Sequence, residues 1–208
     1  MLGVDGGIAM RNGKMVLGIL AGLLILALSG CADAPAEKIQ ATQAALDSAK
    51  AAAAEKYASA SWMQAQDMMN QAQAELQAQE KKLGLFRSYG KSEELLAAAQ
   101  LQAEKAAQEA VAAKEAARQA TVSALEAART ELQATVDLLA TAPRGKDTKA
   151  EIESMQQELA SLATVLDQAA TLVPAEDFDG ARAQIEQVNA KVAEIKADVM
   201  AAIAKVKR

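Results

Sequence analysis

From about residue 36 to residue 82 the chain contains neither glycine nor proline, and alanine recurs through it at helical spacing. Alanine is the best helix former and one of the poorest core fillers, so such a stretch can form long helices but cannot build a thick core. The side chains that normally fill a core are scarce. The 208 residues are 51% hydrophobic but only 2% aromatic, the aromatics being Tyr57, Trp62, Phe86, Tyr89 and Phe178. Together these features predict an all-α protein of elongated antiparallel hairpins or coiled coil, with about four helices.

The first helix is expected over 36–82, with a narrow stripe of Ile39, Leu46, Ala53, Tyr57, Ala60, Met69, Ala72, Leu76 and Leu83. Gly84 and Gly90 bracket a break, and Ser92 is placed to cap a second helix ahead of Glu93 and Glu94. That helix runs to about Ala142. Its first half carries Ala99, Ala103, Ala106, Ala110, Ala113, Ala117 and Ala120, a heptad seam of methyl groups. Leu125, Ala128, Leu132, Thr135 and Leu139 continue it. Two helices of similar length, each roughly 70 Å at 1.5 Å per residue, would then pair antiparallel across the 84–90 turn.

Pro143 and Gly145 break the pattern, and Thr148-Lys149-Ala150-Glu151 has the spacing of a capping box. A third helix follows with Ile152, Met155, Leu159, Leu162, Leu166, Ala169 and Val173, closed by Pro174. A fourth carries Phe178, Ala181, Ile185, Val188, Val192, Ile195, Val199 and Ala202. Surface pairs such as Glu126 with Arg129 and Arg182 with Glu186 would add only tenths of a kcal/mol each. The expected organisation is therefore a leader over 1–30, a tether over 31–35, a long hairpin over 36–142 and a second hairpin over 143–208.

The leader has its own chemistry. Residues 16–28 form an apolar run of 13, preceded by Arg11 and Lys14, which suits the core of an export signal and is short for a membrane span. Translation could start at Met1 or at Met10, whose context is the cleaner of the two. The run ends in Leu28-Ser29-Gly30-Cys31. This resembles the lipobox of bacterial lipoproteins: a branched residue, two small ones, then cysteine. The resemblance implies cleavage between Gly30 and Cys31, with the Cys31 thiol carrying a diacylglycerol and the new amino terminus often acylated as well. One acyl chain anchors marginally, whereas two or three anchor durably. Ala32 rather than aspartate follows the cysteine, which by the sorting rule of enteric lipoproteins implies the outer membrane, facing the periplasm.

The body also resembles a family of uncharacterised bacterial lipoproteins with alanine-rich helical hairpins, best over Glu37–Ala120. The likeness rests on an aromatic-x-x-Ala step, seen in Ala54-Glu55-Lys56-Tyr57-Ala58-Ser59-Ala60 and echoed by Ala175-Glu176-Asp177-Phe178-Asp179-Gly180-Ala181. It implies fold and location and brings no activity with it. The murein lipoproteins share a lipobox and Ala-rich heptads but end in a lysine that is crosslinked to peptidoglycan. This sequence ends Lys207-Arg208, so no covalent tether is expected.

Candidate chemistry is sparse. There is no histidine, and Cys31 is the single cysteine, which removes the usual general base, internal disulfides and thiolate zinc clusters. A net charge of −5 offers no basic stripe for nucleic acid. Gly145-Lys146-Asp147-Thr148 lacks the residues and preceding strand of a phosphate loop. Trp62-Met63 and Met68-Met69 read as gap fillers between helices, and Asp177 with Asp179 as a helix start. No enzyme and no cofactor are expected. The expected function is that of a lipid-anchored spacer or docking protein, and the alternative is an accessory subunit of an envelope transport or assembly complex. An envelope protein or a second copy would be the partner. Its candidate contact point is the 84–90 turn, at Phe86, Arg87 and Tyr89, which a straight hairpin would hold farthest from the lipid; the alternative, favoured over it, is that Phe86 and Tyr89 staple the two helix ends together.

Overall fold

The computed structural model describes residues 33–143 and 148–206, and every regular element within them is helical. In chain order these are α1 (Ala36–Ala51), α2 (Ala54–Tyr57), α3 (Ser59–Glu80), a 3-10 turn (Gly84–Phe86), α4 (Gly90–Ala140), α5 (Lys149–Leu172) and α6 (Phe178–Val206). The protein is all-α. The expected export signal, with Gly30 and Cys31, and the stretch 144–147 lie outside the described residues. The chain divides into two units within α4, between Val111 and Ala112, rather than at residue 142.

In the first unit the helix expected over 36–82 is not continuous. It is interrupted at Ala53, whose φ of 60° and ψ of 38° are left-handed, and α2 is a single turn before α3 begins. The side-chain links show what the interruption does. Lys38 pairs with Glu93 at 2.5 Å and the Thr42 hydroxyl lies 3.1 Å from the Leu96 carbonyl, so α1 runs parallel to the start of α4. Ser61 bonds to Glu109, Gln64 to Gln102, and Glu75 to Lys91, so α3 runs antiparallel to the same helix. The chain therefore reverses at 52–58, and the unit is a three-helix bundle of α1, α3 and the first part of α4.

The reversal changes which residues are buried. Thr42, Leu46 and Ala49 keep the heptad rhythm, and the next buried positions are Ala54 and Ala58. The stripe then continues through Trp62, Ala65, Met69, Ala72 and Leu76. Ala53 and Tyr57, expected in the seam, are only half-buried, Ala60 is exposed, and Leu83 is 75% exposed. A helix that ends on a left-handed residue leaves its axis, so a register counted straight through that residue fails beyond it.

Along α4 the alanine seam holds at Ala99, Ala103, Ala106 and Ala110, then differs from strict heptads. Ala113 and Ala117 are half-buried and Ala120 is exposed, while Thr121 is fully buried. The steps from Ala117 to Thr121 and from Thr121 to Leu125 are both four residues, a stutter. A strict heptad drifts about 20° per repeat around a straight helix, and an extra step of four restores the phase.

The second unit packs the rest of α4 with α5 and α6. Leu139, near the end of α4, lines one hollow with Ile152 near the start of α5, and Arg129 further back pairs with Asp167 at 2.7 Å, so α5 runs antiparallel to α4. Lys196 pairs with Glu131 at 2.6 Å. Arg129 thus links two helices, where the sequence suggested Glu126 on its own helix. The aliphatic seams are buried as expected from Ile152 to Ala169 and from Phe178 to Val199, except that Met155 and Val173 are half-buried and Ala202 is exposed, with Ile203 packing in its place. Thr148 does not cap α5 with its side chain; its hydroxyl donates to the Pro143 carbonyl at 3.1 Å. At the other corner Glu176 is left-handed, with φ 61°, and the Asp177 amide bonds back to the Leu172 carbonyl at 3.1 Å. Asp177 then caps α6, accepting the Gly180 amide at 3.0 Å. A Cβ at Gly180 would stand 2.3 Å from that carboxylate, so a side chain there would make the Asp177 carboxylate shift.

The sequence echo thus falls on two chain reversals. Ala53 and Glu176 are the two positive-φ residues other than glycine among those described, and each ends a helix just before an aromatic-x-x-Ala step.

Candidate interaction site

The end of α3 and the start of α4 are held together by polar side chains. Beyond Glu80 the chain turns through Lys81 and Lys82, becomes extended at Leu83, makes one 3-10 turn and is extended again at Arg87. The last carbonyls of α3 would otherwise have no partner. The Arg87 guanidinium donates to one of them, the Glu80 oxygen, at 3.0 Å, and to the Lys82 oxygen just beyond the helix at 3.1 Å. Gln79, buried, accepts the Ser88 amide at 3.1 Å through its side-chain oxygen and donates to Glu75 at 2.7 Å. Lys91 reaches the other Glu75 oxygen at 3.0 Å. The hydrogen bond from Gln79, followed by that from Lys91, holds the Glu75 carboxyl below its ordinary value of 4.5. Tyr89 is 5% exposed, and its carbonyl takes the first helical bond of α4, from the Glu93 amide.

The three residues singled out from the sequence therefore separate. Arg87 fastens the loop to the end of α3, Tyr89 is buried at the start of α4, and Phe86 points outward, 71% exposed. Two neighbours that sequence reasoning passed over stand beside it: Leu85 is 87% exposed, and Leu83 was assigned to the core stripe. Their signal was visible as Leu-Gly-Leu-Phe next to Lys81-Lys82, a short apolar run in a turn where polar residues are the norm. Ser92 is not the cap of α4. It is fully buried in the first turn, and its hydroxyl has no hydrogen-bond partner among the described residues.

The position of the loop also departs from expectation. Because α1 is parallel to α4, the Lys38–Glu93 pair puts the beginning of α1 at the end of the unit where the loop enters α4. The loop is not 70 Å from the start of α1, because the reversal at Ala53 returns the chain to it.

Trp62 and Met69 are buried and Met68 packs against them, as gap fillers would, whereas Met63 is 60% exposed. They floor a groove of 380 Å³ between α1 and α3 whose rim is polar, with Asp47, Lys50, Glu55 and Gln66. A second hollow, of 500 Å³, lies between Pro143, Met155 and Val199 in the other unit. No described helix is long and apolar enough to cross a membrane. Comparison of the chain with protein-family models, with curated proteins and with solved structures returned no match.

Proposed function

We propose that this chain is a bacterial envelope lipoprotein whose helical body acts by docking, held at the outer membrane by acyl chains on Cys31 and facing the periplasm. The observation that carries the reading is Leu28-Ser29-Gly30-Cys31 at the end of an apolar run of 13 residues. Ala32 after the cysteine supports the outer membrane as its destination. Docking is favoured over spacing because α1 begins at the loop end of the first unit, so that α1 and α3 together return the chain to its starting level. The alanine-rich lipoproteins that the body resembles fit this role and bring no catalytic residues to it.

Feeding cells a clickable palmitate analogue tests the anchor. The wild type should be labelled and Cys31→Ala should not. Equal labelling of the two proteins would remove the basis of the proposal.

A further inference from the structure

The loop end of the first unit combines three features that occur together nowhere else among the described residues. Three large apolar side chains, Leu83, Leu85 and Phe86, are 75%, 87% and 71% exposed within four positions, whereas the other strongly exposed ones, such as Met63, Leu101 and Met200, stand singly. From Lys81 to Lys91 there are four basic side chains and no acidic one, in a chain whose net charge is −5. The loop also lies at the same end as the start of α1.

We infer that this loop seats on an anionic lipid surface. Leu83, Leu85 and Phe86 would enter the boundary between headgroups and acyl chains, the depth that amphipathic surface anchors reach. Lys81, Lys82 and Arg87 would lie among the phosphates, where each cation near an anionic leaflet strengthens attachment. Arg87 bonds only to backbone carbonyls and keeps its charge while holding the loop in shape, and Lys91 braces the turn through its pair with Glu75, so the protruding residues are presented by a braced turn. A protein partner would need a separate pocket for each convex side chain, whereas a bilayer interface accepts them without shape matching. The position fits as well. Cys31 is five residues before Ala36, and an extended chain of that length spans at most about 18 Å. A lipid on Cys31 and the loop would then engage one and the same membrane. The inference itself rests on exposure and charge and does not require Cys31 to be acylated.

The test uses residues 31–208, the form that cleavage before Cys31 leaves, with Cys31→Ser and one engineered cysteine carrying an environment-sensitive NBD label, at Phe86→Cys or, about 30 Å away along α3, at Met63→Cys. Vesicles of phosphatidylcholine alone are compared with vesicles containing phosphatidylglycerol. The expected result is a blue-shifted, brighter label at 86 with the anionic vesicles, reduced by raised salt, and no change at 63. Leu83→Ser with Leu85→Ser should reduce the seated fraction at least about tenfold while leaving the circular dichroism unchanged, because both residues are exposed. An unshifted label at 86 would overturn the inference, and so would equal shifts at 86 and 63 or equal shifts in neutral and anionic vesicles. A shift without lipid that grows with protein concentration would also overturn it, assigning the loop to a second copy. Because Cys31 is replaced throughout, failure here leaves the palmitate test untouched.

Discussion

The cluster that closes the first unit holds nine alanines with Leu46, Trp62, Met69 and Leu96, whereas the cluster of the second holds three alanines and twelve leucines, isoleucines and valines. The same fold element, three helices in alternating directions, is thus closed by two kinds of surface. Burying a leucine removes about 1.5–3 kcal/mol worth of apolar surface from water, and a methyl group contributes less than 1 kcal/mol. The alanine seam has a compensating property, which is that helices can approach until side chains reach the neighbouring backbone. Thr42 shows this, with its hydroxyl 2.8 Å from the Lys38 carbonyl of its own helix and 3.1 Å from the Leu96 carbonyl of the next. The links between helices differ accordingly. In the first unit buried Ser61 and Thr42 take part in them, and in the second they are exposed ion pairs such as Arg129–Asp167, worth little individually. Close approach gains specificity where apolar area is small, and branched side chains gain stability where the buried area is large.

The largest effects should come from inverting the two surfaces. Leu166→Ala, at a site 1% exposed, is expected to destabilise the second unit by about 2–5 kcal/mol. In the first unit the damaging change runs the other way. Ala103→Leu forces a large side chain into a fully buried methyl position and should cost roughly 1–3 kcal/mol or more. Denaturant unfolding combined with amide exchange resolved by unit would check both. Tolerance of Ala103→Leu would mean that the seam is looser than described and that the contrast between units is one of size alone.

A smaller, stabilising effect is expected at the corners. Alanine in the left-handed region costs about 1 kcal/mol that glycine does not incur, so Ala53→Gly should raise the stability of the first unit by about 0.5–1 kcal/mol. The matching change in the second unit, Glu176→Gly, also removes the pair with Lys114 at 2.5 Å and should gain less. Thermal melts of the two variants give the order, and a gain from Glu176→Gly larger than that from Ala53→Gly would contradict it.

The smallest effect concerns acid. Hydrogen bonds from Arg118, then Gln119, hold the Glu115 carboxyl down at about 2, and Glu75 is lowered by Gln79 and Lys91. Both groups are depressed, so their contribution is fully present above the ordinary value of 4.5 and is lost as pH falls through the lowered one. Glu115 braces one turn of its own helix, whereas Glu75 ties α3 to Lys91 across the loop. Acid titration should therefore loosen the 83–89 amides in exchange measurements while leaving those around 115–119 nearly unchanged. Equal loosening at both places would show that Glu75 is not part of the brace.

Much of this arrangement was legible in the residues. The aliphatic seams of α5 and α6 were placed almost to the residue, because repeated Leu, Ile and Val at three- and four-residue steps admit one buried face. The loop at 84–90 was marked by its glycines and its aromatics. The site within it was only half legible. Arginine and tyrosine are binding residues by type, yet here the carbonyls at the end of α3 claim Arg87 and the interior claims Tyr89. Nothing in the order of the residues says which neighbours will make those claims.

By itself the sequence determined that the body is helical, where the aliphatic stripes run, and which turns carry glycine or proline, since each of these follows from local spacing and backbone preference. Tertiary structure alone decided that the chain reverses at Ala53, that the stripe on α4 stutters at Thr121, and that the loop and the start of α1 share one end of the unit. An alanine takes the left-handed conformation at a cost of about 1 kcal/mol only where the burial gained by folding α1 back exceeds it. That comparison exists only once α1, α3 and α4 are in contact, and so it leaves no mark in the run of alanines at 51–54.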